Sequence, residues 1–119
     1  MEMGLREPVM RVGNLSSLRD FLDVDDVVRA YLKLMDRAVP AGTYNVASGR
    51  GVRIQALLEQ LIELSHIAPT VEVDPERFRA TDQLIGDARK LSDTTGWQPR
   101  IPLRTTLANL IADWRARLA

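Results

Sequence analysis

The chain has 119 residues, and its 45% hydrophobic content is ordinary for one globular domain. Sixteen basic side chains balance sixteen acidic ones, so the positive excess that a general nucleic-acid or membrane-surface role needs is absent. Without cysteine and with His66 as the single histidine, disulfides and His- or Cys-rich metal sites are excluded. We therefore expect no nucleic-acid partner, no membrane partner and no bound metal. The N-terminus lacks an apolar signal core, which predicts a cytoplasmic protein.

Strand signals come first along the chain. Residues 8–12 alternate in hydropathy and end at Gly13, a pattern that predicts a strand entering a turn. A polar loop follows over residues 13–20. Phe21-Leu22 is predicted to form a second, brief strand.

The first helix is predicted over residues 24–37, with Asp23 or Asp25 as its N-cap, because a short carboxylate can accept the free backbone N–H groups of a first helical turn. Its apolar residues recur at helical spacing. They are expected to form a buried stripe: Val27, Val28, Tyr31, Leu32 and Met35.

The middle of the chain adds two strand signals and a second helix. Residues 43–47 are β-prone and bounded by glycines, which predicts a strand. A helix with a wide apolar arc is predicted over residues 54–66, and a strand over residues 71–73. The long polar loop over residues 74–86 carries arginines and suggests a binding role.

The last third is predicted to be helical. Asp87 is expected to cap a short helix that ends at Gly96, and a long amphipathic helix is expected over residues 103–118. The predicted fold class is therefore α/β, a small mixed sheet packed by about four helices.

Two local motifs are better explained by structure than by chemistry. Gly49-Arg50-Gly51 begins a dinucleotide-type G-x-G, but Ile54 stands where the third glycine belongs. The acidic run from Asp20 to Asp26 could hold Mg²⁺, yet helix capping explains it more simply.

Three stretches in a fixed order carry a family resemblance. The first spans residues 12–27, with Gly13-Asn14-Leu15 followed by Arg19-Asp20-Phe21, and the second is residues 44–49. The third runs over residues 79–99 and contains Arg79-Ala80-Thr81-Asp82, Gly86-Asp87 and Thr95-Gly96-Trp97-Gln98-Pro99. From about Glu7 to Arg115, this set resembles the C-terminal, substrate-binding part of extended short-chain dehydrogenase/reductase (SDR) enzymes that act on nucleotide sugars. It is most similar to GDP-4-keto-6-deoxy-mannose reductases and GDP-mannose 4,6-dehydratases.

The resemblance implies a set of substrate-binding residues. Arg19 and Arg79 would contact the diphosphate, Asp82 the ribose, and Asn45 the same phosphates or ribose. Pro8 and Met10 would line the base pocket. One departure is Ala80, which stands where the family usually has proline after the arginine; a more mobile Arg79 loop is expected.

Residue chemistry supports the same assignment independently. Guanidinium groups give a diphosphate forked, permanently charged donors, and a carboxylate can accept both hydroxyl protons of a ribose diol. The alternative is that these are surface ion pairs, Arg19 with Asp20 or Asp23, and Arg79 with Asp82.

The catalytic parts of that family have no counterpart in this sequence. No three glycines have the spacing of the NADP-binding turn, and Tyr31 and Tyr44 are followed four positions on by Met35 and Ser48, not lysine. The resemblance thus implies that residues 1–119 are a single nucleotide-sugar-binding domain, a fragment of a larger NADP-dependent enzyme. This chain would have no catalytic or cofactor-binding residues and would be inactive alone.

Two further expectations follow from such a fragment. Its partners would be a nucleotide-diphosphate sugar and the missing dinucleotide-binding domain. Apolar surface left uncovered would favour a homo-oligomer. Two alternatives remain open: a non-catalytic protein-interaction module that kept the fold, and an unrelated small α/β domain with an accidental match.

Overall fold

The computed structural model describes residues 9–80 and 82–118, which contain five short strands and four helices. The strands are β1 (Val9–Val12), β2 (Leu18–Asp20), β3 (Gly51–Arg53), β4 (Thr70–Val73) and β5 (Gln83–Leu84). The helices are α1 (Val24–Leu34), α2 (Ile54–Ser65), α3 (Arg89–Thr95) and α4 (Leu103–Leu118). In this part of the chain, no helix is long and apolar enough to cross a membrane.

The strands form two small sheets, which confirms the α/β class. β1 and β4 pair in parallel, so that Met10 lies opposite Val71. In the second sheet, β2 is central, antiparallel to β3 and parallel to β5. This mixed sheet places Arg19 between Val52 on one side and Leu84 on the other.

The helices follow the predicted pattern, with differences at their ends. Asp23 is the N-cap of α1 and accepts a hydrogen bond from the Asp25 N–H. The helix stops at Leu34, three residues before the predicted end, where the Asp36 carboxylate accepts from the Ala38 N–H at 2.9 Å and stabilises a turn instead. Asp87 accepts from the Arg89 N–H at the start of α3, although Ala88 holds the formal cap position.

Two strand predictions are wrong, and three strands were not predicted. Phe21-Leu22 and residues 43–47 are irregular, whereas β2, β3 and β5 lie in segments predicted as loop or turn. A strand needs a neighbour for its backbone N–H and C=O groups. Within the described residues, no strand pairs with residues 43–47, despite their β-prone side chains.

The core is small and centred on Trp97. This indole is 1% exposed and packs with Ala30 of α1 and Leu91 of α3. Half-buried apolar side chains surround these three: Leu22, Leu34, Tyr44, Val46 and Ala88. A separate contact joins α2 to α4. The radius of gyration is 17.6 Å, against about 13.5 Å for a compact domain of this length, so the molecule is a thin plate with much uncovered surface.

Asp26 joins the core to the segment before α4. Its side chain is 1% exposed and accepts hydrogen bonds from the Arg29 guanidinium at 2.6 Å and from the backbone N–H groups of Arg100 and Ile101. The Trp97 indole N–H donates to the Asp26 carbonyl at 2.9 Å. Burial raises the pKa of Asp26, but these hydrogen bonds outweigh it and hold the pKa below its ordinary value. Asp26 therefore holds the segment before α4 against α1, and the earlier explanation of this carboxylate as a helix cap is wrong.

The predicted buried stripe of α1 is wrong. Its long apolar residues are mostly exposed, up to 78% for Met35, and the buried residues of α1 are Asp26 and Ala30. The exposed set lies at positions i, i+4, i+7, i+8 and i+11, which is one helical face. We call this face the α1 stripe: Val24, Val28, Tyr31, Leu32 and Met35.

Candidate functional site

Arg19 lies in the middle of the central strand β2 and is half-buried, with 32% of its side chain exposed. Its Nη1 donates to the Asp82 carboxylate at 2.7 Å and to the Leu18 carbonyl at 2.9 Å. Among the residues that the structure describes, no protein acceptor takes its Nε or Nη2 groups. Arg19 thus has one nitrogen fixed and the rest of its donor fork available to a ligand.

Asp82 lies one residue before β5 and meets Arg19 across 63 positions of sequence. Its backbone carbonyl accepts from the Leu18 N–H at 3.0 Å, which fixes the segment beside β2. The hydrogen bond from Arg19, with a further one from Ser17, lowers the pKa of Asp82 below its ordinary value. The carboxylate is charged at neutral pH and 51% exposed.

Arg79 lies in the loop that leads to Asp82. Its Nη1 makes only long contacts, 3.3 Å to the Glu76 carbonyl and 3.4 Å to the Phe78 carbonyl. Its own carbonyl accepts from the Asn14 side chain at 2.7 Å, which holds the loop against the turn after β1. In the described part of the chain, no carboxylate pairs with the Arg79 guanidinium.

The surface ion pairs considered as an alternative are wrong in their partners. Asp20 accepts from Ser48, Gly49 and Gly86 instead of Arg19. Asp23 accepts from the Asp25 N–H and the Thr106 hydroxyl. Asp82 pairs with Arg19, not with Arg79. The observed pair joins β2 to the residue before β5 and is not a contact between sequence neighbours.

The other predicted binding residues do not all lie beside the Arg19–Asp82 pair. Met10 is half-buried in β1. The end of β1 adjoins the loop that carries Arg79, because the Asp74 N–H donates to the Val12 carbonyl. Asn45 is exposed in another groove, beside α3, with Arg89 and Lys90. Pro8 lies outside the described residues. The structure thus joins Arg19 with Asp82, places the Arg79 loop next to them, and leaves Asn45 apart.

Asp20, the neighbour of Arg19, has a role that the sequence did not suggest. Its carboxylate accepts four hydrogen bonds, from the Ser48 N–H and hydroxyl and from the N–H groups of Gly49 and Gly86. Burial raises the pKa of Asp20, but the donors from these three residues outweigh it and lower the pKa. In the sequence, only Gly86 could have indicated this close approach, because a Cβ there would lie 2.3 Å from the Ala47 Cβ.

The described residues offer little for a metal or a dinucleotide. They contain no cluster of three or more His, Cys, Asp or Glu side chains arranged to hold a metal. At the Gly49-Arg50-Gly51 turn, a Cβ on Gly51 would lie 2.6 Å from the Ile85 side chain, whereas a Cβ on Gly49 would meet no atom of the described residues within 4 Å. The Gly51 side of the turn is therefore filled by protein atoms.

Comparisons with known proteins agree with this architecture. The chain is 37% identical over 120 residues to the GDP-6-deoxy-D-mannose reductase of Pseudomonas aeruginosa, covering 99% of this chain and 40% of that protein. It is 33% identical over 108 residues to GDP-L-fucose synthase 1 of Arabidopsis thaliana, covering 91% and 33%. The solved structure of RMD from Pseudomonas aeruginosa with NADPH superposes with a TM-score of 0.88 at 34% identity, covering 98% of this chain and 38% of that one.

A second solved structure, the UDP-glucose 4-epimerase of Thermotoga maritima with UDP-glucose, has a TM-score of 0.78 and 28% identity, covering 99% of this chain and 38% of that one. The fold is that of the extended SDR proteins of nucleotide-sugar chemistry. The chain belongs to the GDP-mannose 4,6 dehydratase family, whose sequence model matches residues 1–110. An accidental match is thereby excluded. The chain spans 40% or less of the length of the two curated relatives described above.

Proposed function

We propose that residues 1–119 form one unit that binds the nucleotide-diphosphate part of a GDP sugar, within a larger NADP-dependent reductase, dehydratase or epimerase. The observation that carries this proposal is the Arg19–Asp82 pair. It sets a guanidinium, whose Nε and Nη2 have no acceptor among the described residues, beside a charged, half-exposed carboxylate just before the neighbouring strand β5.

The chemistry of the pair suits a nucleoside diphosphate. The Nε and Nη2 groups of Arg19, which have no acceptor in the part of the chain that the structure describes, can donate to phosphate oxygens at two points. The contact of Arg19 with Asp82 reduces the side-chain freedom lost on binding. The exposed part of the Asp82 carboxylate can accept hydroxyl protons of a ribose. Arg79, which lacks a carboxylate partner among the described residues, supplies a second cation from the neighbouring loop.

The base and the cofactor are proposed from the relatives. Both curated relatives described above are named for GDP sugars, which favours guanine. The similar solved structure holds NADPH, and NADP would supply the hydride chemistry of the parent enzyme from another part of the protein. The present residues would bind and orient the sugar nucleotide.

Replacing Arg19 by alanine should weaken GDP binding by about 10- to 100-fold, because a charge-assisted hydrogen bond contributes about 1.5–3 kcal/mol. The measurement is a titration of the isotope-labelled protein with GDP, UDP and dTDP, followed by backbone amide NMR shifts. We expect saturable shifts on the segments around Arg19 and Arg79, strongest with GDP.

Arg104→Ala is the matched control for that titration. Arg104 makes an ion pair of similar length, 2.8 Å to Glu63, but it lies on α4 and should leave the affinity unchanged. An Arg104→Ala variant that loses as much affinity as Arg19→Ala would contradict the proposed site. So would a wild-type protein whose amide shifts do not move with any of the three nucleotides.

The α1 stripe supports the proposed partners. Its five exposed apolar residues form a face of the kind that in soluble proteins contacts another protein surface. In the parent enzyme this face would pack on the dinucleotide-binding part, and in the chain of 119 residues a second copy would cover it.

Leu32→Lys combined with Met35→Lys should therefore weaken self-association by more than about tenfold, since burying each side chain contributes about 1.5–3 kcal/mol. Sedimentation velocity over a concentration series measures this. Leu118→Lys, at an exposed apolar residue of α4, is the control and should leave the oligomer intact. A wild-type protein that stays monomeric at the highest concentration would overturn this part of the proposal.

A further inference from the structure

We infer that Asp20 is a positioning residue that sets the geometry of the Arg19–Asp82 pair; this rests on the proposed function. Its two carboxylate oxygens accept four hydrogen bonds at 2.6–3.1 Å. Since a carboxylate has about four acceptor sites, Asp20 has little capacity left for a ligand. Its effect on binding must therefore pass through the residues that it holds.

The first element held by Asp20 is the segment that carries Asp82. This segment is clamped to β2 at both ends: the Leu18 N–H donates to the Asp82 carbonyl at 3.0 Å, and the Gly86 N–H donates to the Asp20 carboxylate at 3.1 Å. Between the two clamps lies β5, only two residues long. So short a strand has few ladder hydrogen bonds of its own, and the Asp20 clamp fixes the end that they leave free.

The second element held by Asp20 is the opposite neighbour of β2. Ser48 and Gly49, which donate to Asp20, lead into β3, and Asp20 itself lies opposite Gly51 in the register. One carboxylate thus ties both flanking strands to β2 at a single end of the sheet. Arg19 is the next residue along β2, so its strand position depends on both attachments.

The packing around Gly86 shows how closely this end of the sheet is drawn together. A Cβ on Gly86 would lie 2.3 Å from the Ala47 Cβ and 3.6 Å from the Asp20 Oδ2. The backbone of one loop therefore lies directly on the side chain of another, next to the carboxylate. Replacing one of the two carboxylate oxygens by an N–H₂ group would leave some of these closely spaced donors without an acceptor.

The first test needs no ligand. In Asp20→Asn, the amide group must point an N–H₂ at one set of these donors, so the clamp on Gly86 or on Ser48 opens. The Arg19–Asp82 contact should then loosen, and the carboxyl pKa of Asp82, followed by carbon NMR, should rise toward its ordinary value. An unchanged Asp82 titration in a folded Asp20→Asn protein would overturn the inference.

A double-mutant cycle on GDP affinity tests whether Asp20 acts through Arg19. Asp20→Asn should weaken GDP binding about tenfold or more in the wild-type background and hardly at all in the Arg19→Ala background. A general loss of structure would reduce affinity by the same factor in both backgrounds. Equal factors would therefore overturn the inference while leaving the proposed function in place.

Two further variants keep the test decisive. Ser48→Ala removes only the hydroxyl donor and keeps the Asp20 charge, so it should give a smaller change of the same sign if Asp20→Asn does not fold. Asp113→Asn breaks an exposed ion pair with Arg117 on α4 and should change neither readout. Should the wild-type chain fail to bind GDP, the proposed function fails, and the Asp82 titration still decides the role of Asp20.

Discussion

Asp26→Asn should lower the free energy of unfolding by about 3–5 kcal/mol, the range for a buried ion pair that loses one partner. The variant keeps the shape of the side chain but leaves the Arg29 guanidinium without its countercharge. It also turns an N–H₂ toward the backbone donors of Arg100 or Ile101. Urea denaturation at neutral pH measures the loss.

The pH dependence of stability gives a second readout of Asp26. Its folded pKa lies below the ordinary value, so its stabilisation is fully present above the unfolded pKa of about 3.9 and is lost as the pH falls through the folded pKa. Wild-type stability should therefore drop below about pH 4, and Asp26→Asn should show a shallower drop. Asp113→Asn, which breaks an exposed pair, is the control and should stay close to wild type at every pH.

A loss below about 1 kcal/mol in Asp26→Asn would contradict this account, because surface ion pairs give that value. It would mean that the segment carrying Arg100 is held to α1 by contacts other than this carboxylate. A matching change in Asp113→Asn would point to overall charge and not to the buried pair.

Trp97→Ala should cost about 3–5 kcal/mol, the range for removing a large aromatic side chain from a core. Trp97 is 1% exposed, packs between α1 and α3, and donates its indole N–H to the Asp26 carbonyl. Its removal would leave a cavity at the centre of a core with only three fully buried members. Thermal and urea unfolding, monitored by circular dichroism, measure the loss.

Trp114→Ala is the matched control, since that indole is 54% exposed on α4 and contacts the Arg117 guanidinium from one side. It should change the unfolding free energy by about 0.5 kcal/mol or less. If Trp97→Ala does not fold, Trp97→Phe keeps most of the ring and should show an intermediate loss. Equal effects at the two tryptophans would contradict the assignment of the core.

The proposed site and the stable core are different parts of the molecule. The core joins α1, α3 and Trp97, whereas the Arg19–Asp82 pair lies on a sheet of very short strands. Such a sheet depends on side-chain clamps such as Asp20, whose carboxylate accepts four hydrogen bonds. This separation is why variants at Asp20 are expected to affect binding more than global stability.

Long helices were predictable, and short strands were not. The apolar periodicity of α4 defined both its ends, and that of α2 was one residue too long. β2 and β5 have three and two residues, which are too few for any periodic signal. They form strands because their backbones pair with each other in the folded chain. Residues 43–47 show the opposite case: their side chains favour a strand, but in the described part of the chain no neighbouring strand pairs with them.

Burial was predicted less well than secondary structure. The periodicity of α1 grouped four members of the α1 stripe, all except Val24, but it could not say what covers that face. The side of α1 that packs inside the chain carries Asp26 and Ala30, a charged and a small residue. Hydropathy alone cannot identify them as buried, because Asp26 is stabilised by donors about 74 positions away.

By itself, the sequence determined the family, the helices and the residue types able to bind a diphosphate and a ribose, since local motifs and helical periodicity are properties of neighbouring residues. Only the tertiary structure decided which of those residues meet. Arg19 contacts Asp82 across 63 positions, and Asp20 collects its donors from 28, 29 and 66 positions away. The physical reason is that a carboxylate accepts from whichever donors the chain brings within about 3 Å, and that proximity is set by the folding of the whole chain.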